Sequence, residues 1–424
     1  MGEAFYRLRT AIFVLAILLA IDVYAYQAIR IATAKFSAVV KQTLRGLYWS
    51  ITVFVVLLFA WIHTIGIADE KLKQWIIVWM GIVYFSKLFL IGVLIVDDLR
   101  RGYHLSRRFY RRKRNPEHEE NINRISRSEF FAKAALASWA IPLTSLSFGI
   151  LSGAHNFQVR RRTIYLPNLP KAFDGMLIGQ LSDIHTGSLF NKTAIQGGVD
   201  MLIREKPDMI FFTGDLVNVE TDEVNDYINV FDKIKAPYGV FSVTGNHDYG
   251  NYRGWSSPAA KRRNFEDMLV AHKQMGYDLL MNENRILELQ GEKIAIVGVE
   301  NWGIGPPLRF PKYGKLKEAL LNTDEAAVKI LLSHDPTHWD AQIRPEFPEI
   351  DITFSGHTHG YQMGVTIGSF NWSPAQYRFK QWAGLYQEGN QYIYVNRGFG
   401  CVGYPGRIGM PPELTIIELK RGTA

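Results

Sequence analysis

Four long apolar runs occupy the first third of the chain. Residues 11–29 are apolar apart from Asp22 and Gln27. The stretch from Gly46 to Ala68 contains no Asp, Glu, Lys or Arg, and neither does the stretch from Ala134 to Ala154. Between Gln74 and Val96 the only such residue is Lys87. Each run is long enough to cross a hydrocarbon layer of about 30 Å as a helix. The pattern predicts membrane-spanning helices at about 10–32, 47–67, 75–96 and 132–153, an all-α four-helix domain over residues 1–155. Four buried helices of a soluble domain would leave this segment too little polar surface.

After Arg160-Arg161-Arg162 the texture changes. Short apolar runs recur, each ending in polar or glycine residues: Met176–Leu181, Met209–Thr213, Val240–Thr244, Ile294–Val299, Val328–Leu332, Ile350–Phe354 and Tyr392–Val395. These predict buried strands. Helical stretches are expected at Thr193–Glu205, Glu223–Ile234, Asn264–Met275 and Lys315–Leu321. Alternating strand and helix implies an α/β layered domain over residues 156–424.

Charge adds an orientation. Residues 97–129 carry ten Lys and Arg, among them Arg107, Arg108, Arg111, Arg112, Lys113 and Arg114, and predict a basic cytoplasmic loop. Lys35, Lys41 and Arg45 between the first two helices agree. Asp69, Glu70, Lys71 and Lys73 balance one another, and Arg7 with Arg9 points mildly the other way. The net expectation is a multi-pass protein of the plasma (inner) membrane, with residues 156–424 on the non-cytoplasmic face. Ser126-Arg127-Ser128-Glu129-Phe130-Phe131-Ala132-Lys133 resembles a twin-arginine export signal with Ser128 in place of the second arginine. Read that way, or as the ordinary basic end of a membrane helix, it puts the following domain outside. Asp22 and Lys87 fall near the middle of their helices. They are either functional intramembrane charges or a buried pair tying the first helix to the third.

The net charge of +8 belongs entirely to the first third. Residues 158–424 hold 28 Lys and Arg against 30 Asp and Glu, which removes the basic face that nucleic-acid binding needs. A single cysteine, Cys401, excludes an intramolecular disulfide framework and a multi-cysteine metal site.

Five of the apolar runs end in Asp, Asn or His. They lead into Asp183-Ile184-His185, Gly214-Asp215, Gly245-Asn246-His247-Asp248, Ser333-His334-Asp335 and Gly356-His357-Thr358-His359-Gly360. Ligands in α/β folds gather at the carboxyl ends of strands. Oxygen and imidazole donors without thiolate suit two divalent ions such as Mn, Fe or Zn. Asp-x-His and His-x-His place two side chains on one side of the chain. Two ions about 3.5–4 Å apart activate a bridging water and clamp the oxygens of an in-line phosphoryl displacement. A shared carboxylate is needed, and Asp215 is the natural bridge.

In this series and order the motifs resemble the calcineurin-like metallophosphoesterase superfamily, over about residues 160–424. Leu181–Gly187, Leu332–Pro336, Asn396–Gly400 and Pro411–Leu414 narrow the resemblance to its membrane-anchored bacterial phosphodiesterase branch, itself similar to UDP-2,3-diacylglucosamine pyrophosphatases. The resemblance implies a four-layer β-sandwich flanked by helices. It implies one ion on Asp183, His185, Asp215 and His359, and the other on Asp215, Asn246, His334 and His357. It makes His247 the phosphate contact and general acid, with Asp248 orienting it. Gly360 is followed by Tyr361-Gln362 where the branch has a second glycine, which bears on substrate shape.

Two segments carry open readings. Tyr249–Asn264, with Trp255, Lys261, Arg262 and Arg263, either caps the site or is a solvated loop. Phe370–Tyr394, with Trp372, Tyr377, Trp382 and Tyr386, either meets lipid or packs near the core. His272, His338 and Cys401 are expected to have no chemical role. The expected activity is phosphodiester or pyrophosphate hydrolysis on membrane-proximal, lipid-linked substrates. The alternatives are the UDP-2,3-diacylglucosamine pyrophosphatase step of lipid A biosynthesis and a silent metal-dependent sensor.

Overall fold

The computed structural model describes residues 2–64, 70–114, 128–306, 308–367 and 370–423. The chain forms two units, Met1–Ser147 and Phe148–Ala424. Four helices begin the chain: α1 (Gly2–Ala32), α2 (Ala38–Thr64), α3 (Glu70–Arg114) and α4 (Glu129–Leu151). All four are long and apolar enough to cross a membrane.

The expected loop over 97–129 needs correction. Its first half is the basic end of α3, which continues unbroken for 45 residues. At 1.5 Å per residue, α3 far exceeds a hydrocarbon layer of about 30 Å. Arginine and lysine are good helix formers, and Arg100–Asp97 and Arg101–Asp98 pair at 2.9 Å one turn apart. Residues 115–127 lie outside the described residues, and with them Arg127 of the twin-arginine-like segment and the rest of that loop. Asp69 also lies outside them.

Within the first unit, Asp22 and Lys87 form a buried ion pair between α1 and α3. The Tyr84 hydroxyl donates to the Asp22 carboxylate at 2.8 Å, and the Tyr48 hydroxyl donates to the Asp22 backbone carbonyl at 2.8 Å. The Lys87 ammonium also lies over the Tyr84 ring, 4.6 Å from its centre. A charged pair in an apolar unit is thus enclosed by hydrogen bonds and ring faces.

The second unit is built on two six-stranded sheets. Its strands are β1 (Gln158–Leu166), β2 (Leu177–Leu181), β3 (Met209–Phe212), β4 (Val240–Ser242), β5 (Asp278–Leu279), β6 (Glu283–Leu289), β7 (Glu292–Gly298), β8 (Val328–Leu332), β9 (Ile352–Ser355), β10 (Val365–Ile367), β11 (Phe370–Trp372), β12 (Gly384–Glu388), β13 (Gln391–Val395) and β14 (Glu413–Arg421). The first sheet runs β1-β14-β2-β3-β4-β5 and the second β12-β13-β9-β8-β7-β6. β10 and β11 form a separate hairpin.

The sheets pack face to face. Ile178, Phe211 and Phe241 of the first meet Ile294, Ile330 and Phe354 of the second in one buried cluster. The outer face of the first sheet is covered by α5 (Lys192–Arg204), α6 (Ile228–Phe231) and α7 (Pro258–Met275). That of the second packs on α8 (Leu316–Ala319) and on Trp339, Ile343 and Phe347. The layers therefore run helix, sheet, sheet, helix. The helix expected over 223–234 is instead a 3-10 turn followed by the single turn α6. The Glu223 carboxylate folds back to accept N–H bonds from Asn218, Val219 and Glu220, which shapes a loop rather than a helix.

Candidate metal centre

β2, β3 and β4 of the first sheet and β8 and β9 of the second all end at one place. Asp183 and His185 follow β2, Asp215 follows β3, Asn246 to Asp248 follow β4, His334 follows β8, and His357 and His359 follow β9. The loops are laced together by backbone bonds. Asp183 N–H donates to Gly214 O at 2.9 Å, Gly356 N–H to His334 O at 2.9 Å, and His357 N–H to the Asp183 carboxylate at 2.9 Å.

Backbone strain is concentrated here. Asp183, His185, Asp215, His357 and His359 all have positive φ, between 47° and 70°. Non-glycine residues avoid that region, and such strain persists only where surrounding structure enforces it. Gly214 and Gly356 make room for the turn. At Gly356 a Cβ would overlap the Asp183 carboxylate, and at Gly214, itself at φ 91°, it would press on the His334 ring.

The donor atoms fall into two groups, the buried Asp183–His185–His359 and Asp215–His334–His357, in which His357 is half-buried, each within a 4.8 Å span. In the first, the Nε2 atoms of His185 and His359 face each other at 3.0 Å, with Asp183 Oδ1 3.2 Å from His359 Nε2. In the second, His334 Nε2 lies 3.3 Å from His357 Nδ1. Asp215 Oδ2 is 3.1 Å from His334 Nε2 and 3.5 Å from His185 Nε2, so this carboxylate stands between the groups.

The residues fit a pair of divalent ions. Burial pushes His185, His357 and His359 down from the usual histidine value, so these rings are neutral. Burial opposes ionisation of Asp183 and Asp215, but the surrounding imidazoles outweigh it and hold both below the usual carboxylate range. Ionised carboxylate and neutral imidazole are the forms that bind metal. Burial works against a charge on His334 too, but Asp215 and Asp183 outweigh it and raise the ring to about 10, so a proton stands in for positive charge there. His334 Nδ1 donates to Thr213 O at 2.7 Å, which fixes Nε2 as its inward atom. Asn246 supplies a separate sign. Its Nδ2 donates to the Tyr252 hydroxyl at 2.6 Å, whereas its buried Oδ1 has no partner. An orphaned buried oxygen beside a donor cluster suits a cation.

His247 stands at the edge. Its backbone N–H donates to Asp215 Oδ1 at 2.9 Å, and its ring Nδ1 donates to Asn218 O at 2.6 Å. Nε2 is therefore the atom left to serve the site. The Tyr252 ring lies flat on the imidazole, with centroids 4.0 Å apart and planes 3° apart. Sequence reasoning singled out neither Asn218 nor Tyr252. Of the segment Tyr249–Asn264, Tyr252 covers His247, Arg253 pairs with Glu220, Lys261 bonds Asn251, and the residues from Pro258 onward already belong to α7, which starts earlier than the expected Asn264.

Asp248 does not orient His247. Its carboxylate accepts backbone N–H bonds from Gly245 at 2.8 Å, Asp215 at 3.0 Å, Leu216 at 2.8 Å and Val217 at 3.4 Å. These bonds pin the Asp215 turn to the β4 turn, because the side chain points back beneath the loop. Arg407 was also missed. Only 1% exposed, it donates to the carbonyls of Arg397, Gly398 and Gly400 and reaches within 3.4 Å of His359 Nδ1. His272 and His338 are buried away from the cluster, on Ser242 and on Ser333 with Gln342, and Cys401 is buried.

Residues 176–361 match the family described as "Calcineurin-like phosphoesterase", and residues 8–154 match "Probable Calcineurin-like phosphoesterase, transmembrane domain". The uncharacterized metallophosphoesterase YkuE of Bacillus subtilis is 30% identical over 269 residues, 63% of this chain and 86% of that protein. The chain belongs to the calcineurin-like phosphoesterase family. Another relative, a transmembrane protein with metallophosphoesterase domain from Danio rerio, is 30% identical over 315 residues, 70% of this chain and 67% of that one. Among solved structures, the phosphopantetheinyl hydrolase of Mycobacterium tuberculosis matches with a TM-score of 0.31 and 16% identity, over 52% of this chain and 88% of that one. This metallophosphoesterase is a membrane protein whose transmembrane part is itself a family feature.

Proposed function

We propose that this metallophosphoesterase is a dinuclear-metal-dependent phosphodiesterase acting on phosphodiester or pyrophosphate bonds of membrane-proximal, lipid-linked substrates. The observation that carries the reading is the pair of three-residue donor groups with Asp215 between them. Asp183, His185, Asp215 and His359 would hold one ion, and Asp215, Asn246, His334 and His357 the other. Two such ions supply charge stabilisation for a phosphoryl group and an activated water. The chain's own residues do the rest. His247, locked by Asn218 O and by the Tyr252 face, holds a proton at Nε2 for the leaving oxygen. Arg407 ties the carbonyls of Arg397, Gly398 and Gly400 together behind His359, and Asp248 braces the Asp215 turn.

A diester preference has its own support. The rings of Phe310 and Phe379 stand edge-on to His357, each with its centroid 5.6 Å away. A monoester dianion is better served by cationic side chains than by apolar rings. For the location, the basic half of α3 supports a plasma-membrane topology with the catalytic unit on the non-cytoplasmic face. Cysteine-accessibility labelling of intact cells tests that orientation.

The activity test uses the full chain, purified in detergent with Mn, on bis(p-nitrophenyl) phosphate and p-nitrophenyl phosphate. Diester hydrolysis that disappears in Asp215→Asn is expected. Hydrolysis of the monoester alone would overturn the diester reading. Bound metal with no hydrolysis of either compound would make the unit a metal-dependent binding module.

A further inference from the structure

The hairpin β10–β11 joins neither large sheet. Its register pairs Val365 with Trp372, Thr366 with Asn371 and Ile367 with Phe370. Alternate residues share a face and opposed residues sit side by side. Val365, Ile367, Phe370 and Trp372 therefore form one wholly apolar face. Thr366 and Asn371 form the other, joined by a side-chain hydrogen bond of 2.9 Å. The ribbon is amphipathic, and its apolar face is exposed at Val365, Ile367 and Phe370, with Trp372 half-buried and Thr366 exposed on the other face. Ile367 is 71% exposed and Phe370 60%, and Tyr377, just beyond the hairpin, is 78% exposed. A two-stranded ribbon is marginal in water by itself, and a contiguous exposed apolar patch marks an interaction site.

The base of the hairpin lies close to the end of α4. Met363 bridges to Ile408, and Gly364 N–H donates to Ile408 O at 2.9 Å. Ile408 and its neighbours also meet the end of α4. Arg407 N–H donates to Gly149 O at 3.1 Å, and Gly149 packs so closely on Tyr404 and Ile408 that a Cβ would not fit. These contacts lie within the second unit, Phe148–Ala424. Ile408 alone thus separates the base of the hairpin from Gly149 in the last turn of α4, where Phe148 and Leu151 are themselves exposed. Arg378, which follows Tyr377, is exposed and donates to Ile304 O at 3.3 Å, and it adds a cation of the kind that suits anionic headgroups.

We propose that the β10–β11 hairpin is a membrane-docking ribbon: its Val365–Ile367–Phe370–Trp372 face lies in the interface of the bilayer that the chain's own helices cross. Aromatic and branched side chains with a polar opposite face are the composition of interfacial anchors, which sink only to the level of the headgroups. The occupant is the lipid surface itself, so the docking does not depend on the reaction the metal centre performs.

The test uses the full chain in vesicles of phosphatidylcholine and phosphatidylglycerol. An environment-sensitive fluorophore is placed at Ile367→Cys, and separately at Phe370→Cys and Thr366→Cys, each in a Cys401→Ser background. Quenching by lipid carrying a doxyl group high on the acyl chain is compared with quenching by aqueous iodide. The expected result is doxyl quenching at positions 367 and 370, with iodide quenching there about threefold weaker than at position 366. Equal iodide quenching at all three positions without doxyl quenching would overturn the proposal. Protection from iodide that rises with protein-to-lipid ratio and lacks doxyl quenching would overturn it too, in favour of a second copy of the chain. Both apolar-face positions must agree, so one misfolded variant does not decide the outcome.

Discussion

Replacing Tyr252 by phenylalanine removes one oxygen and leaves the ring. In the wild type that oxygen accepts the Asn246 Nδ2–H at 2.6 Å and donates to Arg309 O at 3.1 Å. The amide of Asn246 can face the donor cluster with oxygen or with nitrogen, and only the oxygen attracts a cation. The Tyr252 hydroxyl selects the oxygen-inward state by giving Nδ2 its acceptor. Without it, that state leaves a buried donor unsatisfied, at about 1–3 kcal/mol. The ion must pull the amide back against that cost, so the affinity of one ion falls by roughly 5- to 150-fold. The other ion, on Asp183, His185 and His359, is unaffected, and the phenyl ring still covers His247. Calorimetric titration of the metal-stripped full chain with Mn reads both steps, and a melting curve reads stability. The expected outcome is one weakened step, one unchanged step and nearly unchanged metal-free melting. Two unchanged steps would show that Tyr252 does not set the amide. Two equally weakened steps with a large drop in melting temperature would reduce it to a packing residue.

Asp248→Asn is expected to destabilise the metal-free protein by about 3 kcal/mol, because an amide presents one acceptor and sets its NH2 against N–H groups that a carboxylate accepts. Unchanged melting with a shifted pH–rate profile would instead restore Asp248 as the partner of His247. The His272 ring is fully buried, and burial lowers it from the usual 6.5 to about 3. The folded protein keeps it neutral while the unfolded chain protonates it. Its contribution is therefore complete above about pH 6.5 and is lost at about 1.4 kcal/mol per pH unit as the pH falls toward 3. Denaturant midpoints for wild type and His272→Gln should converge with acidification, and a constant difference would refute this. In the membrane unit, Asp22→Asn or Lys87→Met alone should cost about 3–5 kcal/mol by stranding a buried charge, while the double variant costs less than either. Additive losses in a detergent unfolding cycle would sink the pairing.

Much of the site was legible because its signals are local. A charge-free run of more than twenty residues has few uses besides a membrane helix, and an apolar run ending in Asp or His leaves a strand end for ligands. What stayed hidden depends on partners distant in the chain. β14 enters the first sheet between β1 and β2, and its Glu413 pairs with buried Arg397. Nothing in the local pattern distinguishes that glutamate from a surface one. The aromatic stretch 370–394 has one texture in sequence, yet the fold divides it. Phe370 and Tyr377 are exposed, while Trp382 is buried and its carbonyl accepts from Thr358. Arg407 sits in a glycine-rich tail where nothing local marks it, and it lies fully buried behind His359.

The misreading of Asp248 has the same root. Its neighbour His247 suggested a pair, but the β4 turn sends the two side chains opposite ways, one toward the cluster edge and one beneath the Asp215 loop. That division follows from the strain at the site. Five donor residues hold left-handed backbone angles that none of them favours alone, and nearby loops must enforce them. Asp248 enforces one, through its bonds to Asp215, Leu216 and Gly245, and the Asp183 carboxylate enforces another through His357 N–H. Asp183 is thus both a donor in one group and a brace for a residue of the other. The two groups share a carboxylate at Asp215 and a backbone bond at Asp183, so changing either aspartate should disturb both groups. A change confined to Tyr252 should reach only one.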